Sequence, residues 1–495
     1  MEAPRRFKRL NVGQLGLRHA VSQAVALNAP GGTIVLYVIG TAALMTFTFS
    51  QYPQGAFSIP LILVLSLAVY AMMTFSMYEF SRYLSSSGGY YTFVTRGLGK
   101  YAGFVTALSY LSYQVLSFTG FGLLGFLGFI YGIFPSLGIS IPDPALLWVF
   151  ITAGMIGLVS FLIYAGIRPS MKIVSYIIVI EVVFFLTTSI YLLAKNYSSL
   201  TPAPFTAAPV GNNPLILATM MVYAIGTFVG IGGSIPIAEE TRDPKRNVPR
   251  AILATVAILG ITIIVSSYAQ VIVWGAANMG TFGTTVVYPV MQIYRHDFGF
   301  LSIVFYGLLL IIVSNSFFTA TVSLGTNATR VLFSLSRENV LPPALSKTRA
   351  KNGTPTVAIA VVGSISAVIV LATGFVFMYF YPGNLDQALL YGSVFLLILE
   401  SPIMYLVHIL TNTSLFVYMR KNRLKISYIK HLVIPSISTI TLLFAIVVAV
   451  YLNLEAPYIY GVYGSLVWIA VICVALVVTF VKYKHKLEAI GEFSL

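Results

Sequence analysis

The chain has 495 residues, of which 58% are hydrophobic and 9% are charged. Apolar stretches of about twenty residues recur along its whole length, which is far outside the range of soluble globular domains and predicts an all-α integral membrane protein. The single cysteine excludes an internal disulfide, and the five histidines are scattered. Neither a metal centre, a cofactor nor an enzyme is therefore expected.

Twelve apolar segments are long enough to cross a bilayer. They lie at about 17–47, 58–82, 98–134, 145–166, 171–194, 214–239, 250–275, 300–329, 355–380, 386–419, 428–453 and 458–482.

The basic residues are distributed asymmetrically around these segments. With the N-terminus placed inside, 27 of the 29 Lys and Arg residues lie in inner loops and tails, and Lys195 and Arg295 lie outside. This bias predicts a multi-pass protein of the cell membrane with both termini in the cytoplasm. The net charge of +15 is then explained by topology and by attraction to anionic lipids, not by a nucleic-acid partner.

Glycine interrupts the first and the sixth apolar segments. The first reads NAPGGT at 28–33 and the sixth reads FVGIGGS at 228–234. Glycine lowers helix propensity and proline removes a backbone donor, so both segments should unwind for a few residues near mid-membrane. Paired interruptions of this kind indicate the binding site of a secondary transporter. Close helix packing is the alternative for either interruption taken alone.

Each interrupted segment begins a set of five, and an odd number of spans inverts the second set relative to the first. The predicted parts are a cytoplasmic tail at 1–16, a first repeat at 17–194, an extracellular loop at 195–213, a second repeat at 214–419, helices eleven and twelve at 420–482 and a cytoplasmic tail at 483–495. Asn196 begins a glycosylation sequon in the outer loop, usable only in a host that glycosylates.

Three stretches are more specific than composition. FVGIGGSIPIAEETRDPKRNVPRAI at 228–252 resembles the sixth-helix signature of the amino acid–polyamine–organocation (APC) superfamily. GGYYTFVTRGLG at 88–99 is similar to its loop between the second and third helices, and NATRVLFSLSRENVLP at 327–342 to the end of its eighth helix. The likeness covers about residues 12–480. It implies a leucine-transporter-like fold with a five-plus-five inverted repeat, alternating access and an amino acid or amine substrate.

Two glycines depart from this family pattern. Many relatives carry an acidic residue where this chain has Gly232, and some carry an aromatic gate where it has Gly226. We therefore do not expect a sixth-helix carboxylate to couple transport, and we expect both changes to enlarge the pocket.

The interruptions suit an amino acid substrate. A helix N-terminus can bind its carboxylate, and free carbonyl groups at a helix C-terminus can bind its ammonium group. Ser234 followed by Pro236 predicts an N-cap and first turn for the second half of span six. Tyr110 stands where relatives place a pocket aromatic, although plain packing is equally compatible. The predicted substrate-binding residues are Ala29, Pro30, Gly31, Gly32, Thr33, Tyr110, Phe228, Val229, Gly230, Ile231, Gly232, Gly233 and Ser234.

Glu181 lies roughly 17 Å into span five, near mid-membrane, where a carboxyl is a functional candidate by default. In some relatives this position carries a lysine that replaces a sodium ion; an acidic residue would instead take up a proton or hold a cation. Ser316, Thr319 and Ser323 share one face of span eight at comparable depth. These four residues are predicted to couple transport to an ion. The alternatives are a protonated Glu181 that only bonds a neighbour and hydroxyls that bond their own helix.

Further charged residues have two interpretations each. Glu400, close to Pro402 in span ten, belongs either to a relay or to the proline kink. Glu239, Glu240 and Asp243 lie among the basic residues of the 242–250 loop, and we expect an ion-pair network there that serves as structure or as a cytoplasmic latch.

The sequence therefore predicts a secondary active transporter, not an enzyme, that moves an amino acid across the membrane by alternating access. Coupling to a proton is favoured over sodium. The alternatives are an amine or polyamine carrier and an amino acid exchanger without ion coupling. The expected partners are the substrate, a proton or sodium ion and the lipid bilayer.

Overall fold

The computed structural model describes residue 10 and residues 12–138, 144–283, 289–350, 352–451 and 458–493. The basic residues predicted to begin the N-terminal tail lie outside these ranges. Within them the chain is helical and forms no strand, and eleven helices are long and apolar enough to span a membrane. The prediction of an all-α membrane protein is confirmed.

The helices follow each other with short connections. Those of the first half are α1 (Leu17–Asn28), α2 (Pro30–Thr48), α3 (Ile59–Ser81), α4 (Tyr90–Leu98), α5 (Lys100–Ser117), α6 (Phe126–Ser136), α7 (Pro144–Ala165) and α8 (Ile167–Lys195). Those of the second half are α9 (Pro214–Ala224), α10 (Pro244–Trp274), α11 (Met279–Phe282), α12 (Pro289–His296), α13 (Ser302–Arg337), α14 (Thr356–Phe380), α15 (Leu385–Lys421), α16 (Ile434–Tyr451) and α17 (Tyr458–Lys482).

The first interruption is a single residue. Ala29 adopts a left-handed conformation (φ 50°, ψ 78°) between α1 and α2. Pro30 disfavours the α-conformation in the residue before it, yet its own φ suits the first position of a new helix. The expected unwinding over several residues is thus reduced to one sharp break.

The sixth interruption is much longer. After α9 a 3₁₀ turn covers Ile225–Phe228, irregular turns follow as far as Ile237, and the next long helix, α10, begins at Pro244. The predicted N-cap at Ser234 is therefore wrong, because no helix begins there. Three glycines and Pro236 within eight residues make a helix costly at this point.

A π-helical segment, Phe118–Gly125, joins α5 to α6. Its wider turn disturbs the regular bonding of backbone carbonyls. Two of these carbonyl oxygens accept hydrogen bonds from hydroxyl groups of other helices. The Ser393 hydroxyl donates to the Gly120 oxygen at 2.8 Å, and the Thr321 hydroxyl donates to the Gly122 oxygen at 3.1 Å. The middle of the third span is thereby tied to both α15 and α13.

The helices α1 and α2 occupy the centre of the bundle. Helix α1 packs against α8, α10 and α13, and most residues of α2 are buried. The outer helices α16 and α17 instead expose large apolar side chains such as Ile440, Val467 and Val474. This distribution suits a protein surrounded by lipid.

Candidate functional site

Asn28 connects the two interruptions. Its Nδ2 atom donates to the carbonyl oxygens of Thr227 at 2.5 Å and Val229 at 2.9 Å. Its own carbonyl accepts the Thr33 hydroxyl at 2.6 Å. The side chain thus satisfies backbone groups that the end of a helix leaves without partners. Asn28 is not among the predicted substrate-binding residues, although a buried amide directly before a break was a usable signal.

Gly230 brings the two interruptions into backbone contact. Its φ is +122°, and a Cβ atom there would lie 2.7 Å from the backbone nitrogen of Asn28. A Cβ on Gly233 would lie 3.0 Å from the Cα of Ala24. Only glycine permits this approach, so the irregular part of the sixth segment packs directly on α1.

The start of α2 meets a carboxylate. The Gly31 amide donates to Oε1 of Glu181 at 2.5 Å, and the Ser316 hydroxyl donates to the same oxygen at 2.5 Å. The Gly32 amide donates to the Ser316 oxygen at 3.0 Å. One carboxylate therefore joins α2, α8 and α13 at the positive end of a helix dipole. These are the amides that we expected to bind the substrate carboxylate, and Glu181 and Ser316 occupy them.

Glu181 is fully buried, and its Oε2 atom has no hydrogen-bond partner among the described residues. Phe185, one turn further along α8, lies against Gly31, where an added Cβ would be 2.8 Å from the ring. An ionised carboxylate in such surroundings is unfavourable unless it is paired. Oε2 is therefore free to carry a proton or to contact a cation.

The other predicted hydroxyls do not reach this carboxylate. Thr319 donates to the backbone oxygen of Ser316 at 3.0 Å, which is the bonding of a hydroxyl to its own helix. The Ser323 hydroxyl has no partner in the described part of the chain. The backbone oxygen of Ser323 accepts a hydrogen bond from Nε2 of Gln23 at 3.1 Å. Ser316 alone of the three contacts Glu181.

A small cavity lies between the interruptions, with room for about one water molecule. It includes two of the predicted binding residues, Thr33 and Val229. The other lining residues are Leu27, Asn28, Tyr37, Ser117, Phe121, Gly226, Leu324 and Leu397. Ser117, Phe121, Leu324 and Leu397 come from helices that lie far apart in the sequence, so no local pattern indicated these four.

Tyrosines fill the space beside two of the glycines. A Cβ on Gly226 would lie 2.7 Å from Tyr37, and one on Gly232 would collide with the hydroxyl of Tyr90. The expectation that these glycines enlarge the pocket is therefore wrong, because aromatic side chains from other helices take the room.

Three other predicted substrate-binding residues, Tyr110, Phe228 and Ile231, are core residues. Tyr110 packs on Tyr90 with ring centroids 4.7 Å apart and on Tyr113 at 5.2 Å. Phe228 and Ile231 are fully buried within the sixth interruption. None of the three lines the cavity.

Glu400 lies behind the cavity wall. It is 2% exposed, the side chain of Ser117 lies beside it, and Ser117 lines the cavity. Its Oε2 atom has no hydrogen-bond partner in the described ranges. The relay and proline-kink interpretations both remain predictions.

The charged cluster after the sixth interruption has other partners than we expected. Arg337 contacts Glu239 at 2.5 and 2.8 Å, and Arg330 contacts Glu240 at 3.1 Å. Ser87 donates to Glu239 through its amide at 2.7 Å and its hydroxyl at 2.8 Å. The basic partners thus come from the end of α13 and not from the 242–250 loop. Paired, well-bonded charges of this kind can be buried.

Two interrupted helices in backbone contact, with a buried carboxylate bonded at the first break, are an arrangement typical of helical membrane transporters. The chain resembles two crystal structures of variants of a manganese transporter from Eremococcus coleocola, each with a TM-score of 0.56 and 14% identity over 95% of both chains. It therefore shares that protein's leucine-transporter-like fold.

The sequence comparison gives the family. The amino acid permease family model matches residues 33–489, so the chain belongs to the amino acid permease family. It is also 24% identical, over 378 residues, to the branched-chain amino acid permease BcaP of Bacillus subtilis, covering 71% of this chain and 76% of that protein. The predicted membership of the APC superfamily is confirmed.

Proposed function

We propose that this protein is a secondary active transporter that moves an amino acid across the cell membrane by alternating access, coupled to a cation. The family supports an amino acid substrate, and the similarity to BcaP makes branched-chain amino acids the first candidates. The observation that carries the coupling is the carboxylate of Glu181, bonded to both Gly31 and Ser316.

The coupling follows from competition for one amide. An ionised Glu181 holds the Gly31 N–H that a substrate carboxylate would use. A proton on Glu181 removes its negative charge and weakens that hold, so the N–H becomes available to the substrate. Proton and substrate then bind together, which gives symport. Sodium would need several oxygen ligands; Glu181 and Ser316 offer two of them, and this remains the second candidate.

The proposed substrate site comprises the two interruptions, at 29–33 and 228–234, together with Asn28. Asn28 holds the carbonyls of Thr227 and Val229 in place at the cavity, where an ammonium group can approach carbonyl oxygens. Tyr110 supports this site from the core.

The proposed architecture has twelve spans in a five-plus-five inverted repeat with two added helices, and both termini in the cytoplasm. The eleven long apolar helices support it. So does α9 with its following turns, which together supply a broken sixth span.

The test is uptake into proteoliposomes under an imposed pH or sodium gradient. The wild type should accumulate substrate against its gradient when the pH gradient is imposed, and Glu181→Gln should not. Glu79→Gln is the matched control, because Glu79 pairs with the half-exposed Arg82 at the end of α3. If neither gradient drives accumulation, the protein is an exchanger or a uniporter. If Glu181→Gln concentrates substrate as the wild type does, Glu181 does not carry the coupling.

The substrate class is tested separately. Amino acids, amines and polyamines are added one at a time to the purified protein, and its thermal unfolding is followed. A ligand that binds only the folded state raises the unfolding temperature. Stabilisation by amines alone would replace the amino acid proposal with the amine carrier.

A further inference from the structure

The chain after α17 folds back onto the protein. A 3₁₀ turn, Lys484–Leu487, leads into the segment Leu487–Phe493, which we term the C-terminal clasp. Four apolar side chains of this region are buried, whereas Glu488 and Glu492 are exposed. The buried side chains are those of Leu487, Ala489, Ile490 and Phe493. Burial of this kind shows a docked segment and not a free tail.

Gly491 makes the closest approach of the clasp. Its amide donates to Oε2 of Glu338 at 2.9 Å. Its φ is +67°, and an added Cβ would lie 2.6 Å from the Cβ of Thr95. A residue with a side chain cannot occupy this place without displacing α4, so the contact depends on glycine.

Two arginines hold the two residues that follow Gly491. Arg96 donates to the backbone oxygen of Glu492 at 2.5 Å. The guanidinium of Arg337 lies over the ring of Phe493, 3.7 Å from its centroid. Such a stacked cation is attracted by the face of the ring.

The clasp therefore contacts groups that already close this end of the bundle. Arg337 is the residue that pairs with Glu239, and Glu338 also accepts the hydroxyl of Tyr91 at 3.0 Å. Tyr91 belongs to α4, Arg337 to the end of α13, and Glu239 to the end of the sixth segment. The clasp spans α4 and α13 beside the ion pair that joins α13 to the sixth segment.

From this geometry we infer that the C-terminal clasp is a conformational latch, a segment that holds the transporter closed on the membrane side where the C-terminus lies. The clasp must leave α4 and α13 before the Glu239–Arg337 pair separates and the site opens to that side. The inference rests on the proposed alternating-access function. The clasp is bonded to Arg96 of α4 and stacked on Arg337 of α13. A movement of α13 away from α4, as α13 leaves the sixth segment, would therefore break the Phe493 stack. The clasp thereby slows opening of the face on which the C-terminus lies.

The latch is tested by the accessibility of a buried position in the sixth segment, Ser234, which precedes Glu239 in the chain. Ser234 belongs to the proposed substrate site, is fully buried, and its hydroxyl has no partner among the described residues. The thiol of Ser234→Cys in a Cys473→Ser background therefore reports opening of that site through its labelling rate, without reference to transport. Membrane-impermeant maleimide is added to sealed vesicles from the side of the C-terminus. Removal of the stack by Phe493→Ala should raise the labelling rate by about threefold to tenfold. A chain shortened after Lys486 should be labelled at least as fast.

Glu488→Ala is the matched control, because Glu488 lies in the same segment with its side chain exposed. It should label at the wild-type rate. Unchanged labelling in both Phe493→Ala and the shortened chain would overturn the latch. If the shortened chain does not fold, Phe493→Ala and Arg96→Ala decide the question.

Failure of the latch is distinguishable from failure of the proposed function. Ligand-induced stabilisation of the wild type by amino acids reports on the transporter alone. If no amino acid or amine stabilises any variant, the proposed function fails, whereas the labelling rates still report whether the clasp closes this face.

Discussion

The Nη2 atom of Arg337 lies 2.5 Å from Oε1 of Glu239, and both side chains are 1% exposed. Since α13 and the sixth segment meet through this pair, their separation requires two charges to leave a buried site together. The pair therefore couples the position of α13 to that of the interruption.

Removal of one member of this pair leaves the other as an uncompensated buried charge. We expect Arg337→Gln or Glu239→Gln to destabilise the protein by about 3–5 kcal/mol. The double variant should lose clearly less than the sum of the two, which a double-mutant cycle of thermal unfolding measures. Additive losses would show that the two side chains act independently.

Asn28→Ala should impair both stability and substrate binding. It removes the donor for the carbonyls of Thr227 and Val229, and each buried carbonyl left without a partner costs about 1–3 kcal/mol. Asn315→Ala is the control, because Asn315 is partly buried and its amide donates to the Ile311 oxygen of its own helix. Equal effects of the two variants on ligand-induced stabilisation would contradict a special role for Asn28.

Gly230→Ala should abolish substrate binding while the protein still assembles. Its φ of +122° and the 2.7 Å approach to the Asn28 nitrogen leave no room for a Cβ atom, so the two interruptions must move apart. Gly307→Ala in α13 meets no atom within 4 Å and should behave as the wild type. Ligand affinity by scintillation proximity, with size-exclusion profiles for assembly, distinguishes the outcomes.

Docking of the C-terminal clasp should weaken as pH rises. Burial raises the pKa of the Glu338 carboxyl from 4.5 to about 7, against the opposing effects of the Gly491 amide, Arg337 and Tyr91. Release of the clasp would return this pKa toward its ordinary value. Because the pKa of Glu338 is higher in the docked form, protonation of Glu338 favours docking. This contribution is complete at pH values below the ordinary pKa, and it is lost as pH rises through about 7.

Hydrogen exchange at the amides of 487–493 measures this docking. Protection should fall between about pH 5 and about pH 8, after correction for the intrinsic exchange rate. Glu338→Gln cannot ionise and should remove the dependence on pH. A dependence that persists in Glu338→Gln would assign the effect to another group.

The charge bias makes a prediction about topology. Cysteines introduced in the 241–249 loop should react only with reagent on the cytoplasmic side, and those in 197–212 only with reagent outside. Sealed cells and inverted vesicles provide the two measurements. The opposite pattern would reverse the orientation and place the C-terminal clasp on the outer face.

Local sequence patterns predicted the helical membrane fold, the family and both interruptions. They also indicated that Glu181 lies at the depth of the first interruption and of the Ser316 hydroxyl in span eight, because depth along a helix can be counted from its end. They failed where a partner comes from a distant helix: Arg337 lies 98 residues from Glu239, and Tyr37 fills the space beside Gly226. The extent of each break was also beyond prediction, since one depends on a single left-handed Ala29 and the other on contacts around Gly230.

The π-helical segment has a consequence for the parts of the bundle that move. Thr321 and Ser393 bond carbonyls of Phe118–Gly125, and Phe121 of that segment forms one wall of the cavity. These two hydrogen bonds fix the third span to α13 and α15. In the proposed transport cycle we therefore expect the wall at Phe121 to stay in place and the cavity to change shape through the opposite wall, which α1 and the sixth interruption supply.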